Sequence, residues 1–174
     1  MVIITYIGKM GSGKTISMVR QAHIYFLEGA TIYSNIHLNF PYKPLTYELL
    51  QMYANDEKLF VNAVFIIDEA YIFFDARESM SKKNKIIAQV VLQSRKKSIK
   101  FLISTQNFLQ IDVRVRNMTD YVVLCKSIFV GDNHYVNLTY QFEDDYGTTQ
   151  KRLYRYHANP YYELYNTNEV VRLM

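Results

Sequence analysis

The chain has 174 residues, of which 49% are hydrophobic and 21% charged, with a net charge of +4 and a pI near 9.0. That length suits one domain, and the apolar fraction excludes a disordered or low-complexity chain. The longest apolar runs resemble Val64-Phe65-Ile66-Ile67, far short of the roughly 18–20 apolar residues of a membrane span, and a single cysteine, Cys125, excludes an internal disulfide framework or a multi-cysteine zinc site. The opening MVIITYIG has neither a basic n-region nor a small-residue cleavage site, so the expectation is a soluble protein in a reducing, intracellular setting. The basic balance is compatible with nucleic acid without demanding it.

In chain order, residues 2–7 read as a buried β-branched strand stopped by Gly8. A glycine-bearing loop leads into a helix from residue 15 to about 27, with Met18, Ala22, Tyr25 and Phe26 on one apolar face and Gly29 as its stop. Residues 30–34 predict a second strand, 39–44 a turn-rich connection and 45 to about 54 a short helix. The strand at 63–67 ends in Asp68-Glu69. Residues 76–85 read as a polar, basic loop; Ile86, Ile87, Val90, Val91 and Ser94 mark an amphipathic helix; residues 99–104 and 121–125 are further strands. Strands alternating with helices predict a parallel sheet covered on both faces.

After Lys126 the grammar changes. His134, Val136, Leu138, Tyr140 and Phe142 share one side of a period-two pattern, turn signals occur at Gly131-Asp132-Asn133 and Asp145-Tyr146-Gly147, and residues 151–157 alternate again. The expected fold is α/β, a mostly parallel central sheet flanked by helices with antiparallel hairpins at its C-terminal edge. It forms one domain over residues 1–174, with a nucleotide-binding core at 1–126 and a hairpin extension at 127–174. The 16 tyrosines are expected in the core or half-buried on strands, with no functional role assigned.

Gly8-Lys9-Met10-Gly11-Ser12-Gly13-Lys14-Thr15 fits G-x-x-x-x-G-K-[ST], the P-loop or Walker A pattern, between a predicted strand and a predicted helix. Glycines let the backbone curl so that successive N–H groups face phosphate oxygens, and the helix adds its positive N-terminal end. Lys14 is expected to neutralise the β- and γ-phosphates of ATP, and the Thr15 hydroxyl to bind Mg²⁺. Asp68 emerges at the carboxyl end of a buried strand, where open parallel sheets bind ligands, and is expected to hold Mg²⁺ through water. Glu69 is placed to orient and deprotonate the attacking water. Kinases of small molecules exclude water, so the Asp-Glu (Walker B) pair points to hydrolysis. The strand ending in Ser104-Thr105-Gln106 would deliver Gln106 beside the γ-phosphate if it neighbours the Asp68 strand. Arg95, Arg114 and Arg116 are candidates for an arginine finger, with Arg77 less favoured.

Residues 94–124 (SRKKSIKFLISTQNFLQIDVRVRNMTDYVVL) resemble the FtsK–HerA superfamily of P-loop motors: a basic residue, an apolar strand, a terminal Thr-Gln and an Arg-Asn stretch leading to the next strand. IIDEAYIFFDAR at 66–77 and YYELYNTNEVV at 161–171 resemble its zonula occludens toxin-like branch, which includes filamentous-phage assembly ATPases; packaging ATPases of viruses are similar as well. The resemblance implies a RecA-like core, hexameric rings, and ATP sites completed in trans by a neighbour's arginine. It makes Arg95 the first finger candidate and Gln106 the sensor glutamine. No membrane span occurs in residues 1–174, a departure from the toxin-like assembly proteins that favours the soluble packaging type.

Lys82, Lys83 and Lys85, and the group Arg95, Lys96, Lys97 and Lys100, could grip phosphates from the pore of a ring without reading bases. The leading expectation is therefore an ATPase that translocates double-stranded DNA into a viral capsid, in the host cytoplasm or on the virion. The alternatives are an ATPase driving virion assembly or export with membrane proteins, a P-loop kinase of a small acceptor, and a non-hydrolysing nucleotide-binding scaffold.

Overall fold

The computed structural model describes residues 2–55, 60–72, 90 and 99–166. Its strands are β1 (Val2–Ile7), β2 (Thr31–Ser34), β3 (Lys43–Pro44), β4 (Ala63–Ile67), β5 (Lys100–Thr105), β6 (Tyr121–Val130), β7 (Asn133–Glu143) and β8 (Thr149–His157). They form one eight-stranded sheet in the order β3-β2-β4-β5-β1-β6-β7-β8. Every pairing from β3 to β6 is parallel, and β7 and β8 close the sheet as antiparallel hairpins. The α/β architecture expected from the sequence is the one observed.

Burial on both faces explains the apolar runs. On β4, all five residues are buried, with Val64 and Ile66 facing one layer and Phe65 and Ile67 the other. Helix α1 (Lys14–Leu27) covers the first layer through Ile16, Met18, Val19 and Ala22. The second layer is filled by α2 (Tyr47–Asn55), by Val90 and by the segment around α3 (Val113–Arg116). An aromatic ladder crosses it: Tyr33, Phe65 and Phe101 sit in register on neighbouring strands and stack 5.2 and 5.1 Å apart.

Three boundaries differ from expectation. Helix α2 starts at Tyr47 because the Thr46 hydroxyl accepts the Leu49 N–H (3.2 Å) and so caps the helix two residues later than hydrophobicity suggests. Residues 43 and 44, expected within a turn, add a short parallel strand beside Tyr33 and Ser34, where an edge position tolerates Pro44. Strand β6 runs to Val130, because its second half pairs with β7 rather than with β1. The expected basic loop at 76–85 and helix at 86–94 lie outside the described residues, apart from the fully buried Val90.

Candidate nucleotide site

Strand β1 delivers the chain into the glycine loop, and α1 leaves it. Gly13 has φ +89°, and a Cβ there would lie 2.7 Å from a Val136 methyl on β7. A Cβ on Gly8 would sit 2.9 Å from the Cys125 carbonyl oxygen on β6. The loop is thus pressed against the antiparallel strands, and only glycine fits at either contact. Lys14 is buried, and its Nζ donates to the carbonyls of Gly8 and Lys9 at 3.1 Å each, so the ammonium folds back over the loop.

Asp68 stands one residue beyond β4, level with the loop. Thr15 Oγ1 donates to its carboxylate at 3.1–3.2 Å. The Ser104 hydroxyl on β5 also donates to Asp68 and accepts the Glu69 N–H at 3.1 Å. From the end of β2, Asn35 clamps the Asp68 backbone: its Nδ2 donates to the Asp68 carbonyl at 2.9 Å, and its Oδ1 accepts the Asp68 N–H at 2.8 Å. Burial pushes the Asp68 carboxyl above its ordinary range, against the opposing pull of the Ser104 and Thr15 hydrogen bonds and Lys14.

Glu69 occupies the left-handed region at φ +50°, a conformation that costs a non-glycine residue about 1–3 kcal/mol and is held by its surroundings. Desolvation, then the Asp68 charge, raises its carboxyl, while Lys14 and a hydrogen bond with Gln106 pull it down. One of its oxygens, Oε2, is buried without a hydrogen-bond partner among the described residues. Because β4 pairs directly with β5, Gln106 and Glu69 emerge at neighbouring strand ends, the adjacency on which the sequence argument depended.

Beside the P-loop lies a cleft of about 260 Å³. Gly11 to Ile16 form one wall, and Phe129, His134, Tyr162 and Tyr165 the other. The tyrosines belong to a C-terminal segment strapped across the top of α1, where the Asn39 N–H donates to the Leu164 carbonyl (2.8 Å) and Leu38 bridges to Tyr165. Sequence reasoning missed Asn35, Ser104 and these four rings as site residues. The strand-end argument applied to Asp68 would have found Asn35 and Ser104; no local signal marks the aromatic wall.

The basic candidates separate. Arg95 and Arg77, with Lys82, Lys83, Lys85, Lys96 and Lys97, lie outside the described residues. Arg114 forms a two-pronged pair with Asp112 (2.9 and 2.7 Å), and Arg116 Nε donates to the Ile111 carbonyl (2.9 Å). Arg116 lines a cavity with Asp120 and Tyr121, at the sheet end opposite the P-loop. Lys100, at the amino end of β5, sits 4.8 Å over the Tyr25 ring, away from the P-loop end. Among the described residues, no group of three or more His, Cys, Asp or Glu side chains could hold a metal ion, and no helix is long and apolar enough to cross a membrane.

A family model described as zonular occludens toxin (Zot) matches residues 39–167. The structure is similar to the N-terminal domain of zonular occludens toxin from Neisseria meningitidis at 20% identity and a TM-score of 0.69, covering 95% of this chain and 98% of that one. It is also similar to the genome-packaging NTPase of Sulfolobus turreted icosahedral virus 2 in complex with ATPγS, at 14% identity and a TM-score of 0.58, with 87% and 96% covered. A third neighbour is the flagellar accessory protein FlaH of Methanocaldococcus jannaschii (12% identity, TM-score 0.55, 80% and 77% covered). No curated protein sequence matches the chain. At these identities the structural matches show a shared α/β fold.

Proposed function

Because the chain belongs to the zonular occludens toxin (Zot) family, we propose that it is an ATP-hydrolysing motor of virion assembly, with double-stranded DNA as the cargo it moves. The observation that supports hydrolysis most directly is the convergence of Lys14, the Thr15–Asp68 pair and the Gln106-bonded Glu69 at the carboxyl ends of adjacent parallel strands. The packaging NTPase among the structural neighbours, which binds ATPγS, supports the nucleotide and the cargo.

In this reading the N–H groups of residues 8–15 and the start of α1 receive the phosphates, and Lys14 exchanges its two carbonyl contacts for phosphate oxygens. Thr15 and Asp68 form an all-oxygen pair of the kind that holds Mg²⁺ with one carboxylate and phosphate oxygens, and the ion would neutralise charge on the transferring group. Asn35 and Ser104 keep Asp68 and the Glu69 peptide in place. Glu69 takes the proton of the attacking water as its oxygen bonds to the γ-phosphorus and the bond to the bridging oxygen breaks. Its raised basicity and unpartnered Oε2 suit that role. Gln106 orients Glu69 or the water. A small-molecule P-loop kinase must exclude water and has little use for such a base beside the metal, and an inert scaffold has none.

In a hexameric ring each ATP site is completed in trans by an arginine of the neighbouring copy, with Arg95 as the first candidate and Arg114, Arg116 and Arg77 as the others. A second reading, an ATPase that drives phage assembly or export at a membrane, is favoured by the Zot family match itself.

Steady-state ATP hydrolysis, with and without long double-stranded DNA over a range of protein concentration, separates the two. Stimulation by DNA that grows with protein concentration supports the DNA motor; hydrolysis indifferent to DNA transfers the assignment to the membrane-linked reading. Lys14→Ala should abolish nucleotide binding, and Glu69→Gln should keep binding while turnover falls about 10²–10⁴-fold. Wild-type turnover in Glu69→Gln would refute the base.

A further inference from the structure

Phosphates seated on the loop leave the nucleoside to be placed, and among the described residues an aromatic wall of Phe129, His134, Tyr162 and Tyr165 lines the same cleft as residues 11–16. That wall is built rigidly around His134, which is 5% exposed. Its Nε2 lies 2.8 Å from Ser127 Oγ and its Nδ1 2.6 Å from the Tyr162 hydroxyl. Its backbone is held as well: the His134 N–H donates to Asn159 Oδ1 (2.7 Å), and the His134 carbonyl accepts the Ala158 N–H (2.7 Å). Phe129 lies against this ring, 4.4 Å between centroids and 7° from parallel, and Tyr162 stacks on it at 5.7 Å.

Phe129 is nevertheless 67% exposed. A phenyl ring fixed by a stacked, immobilised neighbour and otherwise exposed is a flat apolar surface suited to stacking. The base of a nucleotide bound through its phosphates is the flat partner that such a surface fits.

We propose that Phe129, backed by His134 and Tyr162, is the base platform of this site, on which the purine ring of a nucleoside triphosphate stacks. The inference rests on the nucleotide reading of the P-loop and extends it to the part of the ligand that the loop does not touch. It carries a specificity. Both nitrogens of His134 are engaged within the protein, and burial lowers the basicity of the ring, so the platform offers a neutral aromatic face and no group that reads a base edge. Stacking alone tolerates any base. ATP and GTP therefore bind alike, and CTP, with a smaller ring, binds more weakly.

The test is calorimetric titration of the full chain with ATP, GTP, CTP and inorganic tripolyphosphate in the presence of Mg²⁺. Phe129→Ala should weaken ATP about 5- to 150-fold, the range expected for losing one stacked base, and leave tripolyphosphate within about twofold. Phe129→Trp should retain ATP affinity. Since the sequence contains no tryptophan, its emission then reports the base directly and is quenched by ATP but not by tripolyphosphate. Unchanged ATP affinity in Phe129→Ala, an equal loss for tripolyphosphate, or a preference of ATP over GTP above about tenfold in the wild type overturns the proposal. Lys14→Ala keeps the two readings apart: it should lose tripolyphosphate and ATP together, and tripolyphosphate binding that survives there refutes the nucleotide reading instead.

Discussion

The parallel and antiparallel halves of the sheet contribute differently to the site. From β3 to β6 the strands run the same way; the inner ones, β1, β2, β4 and β5, are buried on both faces, and they present Asn35, Asp68, Ser104 and Gln106 at or just beyond their carboxyl ends. From β6 to β8 one face is covered and the other open: Cys125, Val136 and Leu138 join the layer under α1, whereas Leu124, Asn137, Thr139 and Leu153 line an open groove of about 490 Å³. Parallel strands gather polar groups at one edge because all of their ends point there. Hairpins alternate direction and instead supply walls. The halves meet at the P-loop, where Gly13 touches Val136 and Gly8 approaches the Cys125 carbonyl.

The largest effect should come from breaking that meeting point. Gly13→Ala forces a methyl into Val136 and holds a non-glycine residue at φ +89°. Backbone strain and overpacking each cost about 1–3 kcal/mol. Denaturant unfolding should show that loss, and calorimetry should show that ATP binding is lost. In a double-mutant cycle with Val136→Ala, which relieves the clash but opens a cavity of its own at a fully buried position, the double variant should lose less stability than the two single losses added together. Strict additivity of the two losses would mean that the contact between the halves carries no energy.

A smaller effect is expected within the parallel half. Asn35→Ala leaves the Asp68 N–H and carbonyl without partners, at about 1–3 kcal/mol for a buried polar group. Turnover should fall more than ATP affinity, because the Asp68-Glu69 backbone is released while the P-loop is untouched. Equal losses in kcat and in ATP affinity would make Asn35 a structural residue only.

The smallest effect belongs to Cys125, whose thiol is pushed up to about 12, chiefly by burial. The folded state holds this proton more tightly than the unfolded chain, where a thiol titrates near about 8.5. Stability is therefore unaffected below about pH 8.5 and falls as pH rises above it, by at most about 1.4 kcal/mol per pH unit. Thermal melts from pH 7 to 10.5 should show the decline, and Cys125→Ala should delay its onset. Thiol reagents should leave the native protein unmodified at pH 8.

Much of this was legible in the chain. The run Val64 to Ile67 announces a central strand because burial on both faces demands continuous apolarity, and the glycine spacing of residues 8–15 announces a phosphate loop because few other backbones tolerate it. The period-two pattern puts His134 on one side of β7 with Val136 and Leu138, and all three are buried there, but that pattern could not reveal that the His134 ring nitrogens serve Ser127 and Tyr162.

Within the described residues the sequence by itself determined the elements other than β3, their order and the residues of the loop and of the Asp-Glu pair, since these follow from local periodicity and backbone chemistry. Tertiary structure alone decided that Asn35 clamps Asp68 across 33 residues and that β5 carries Gln106 up beside Glu69. It also brought Phe129 and Tyr162, from the C-terminal half, to face a loop at the N-terminus. Those partnerships are set by strand order and by the path of the closing segment, and neither leaves a trace at short range in the chain.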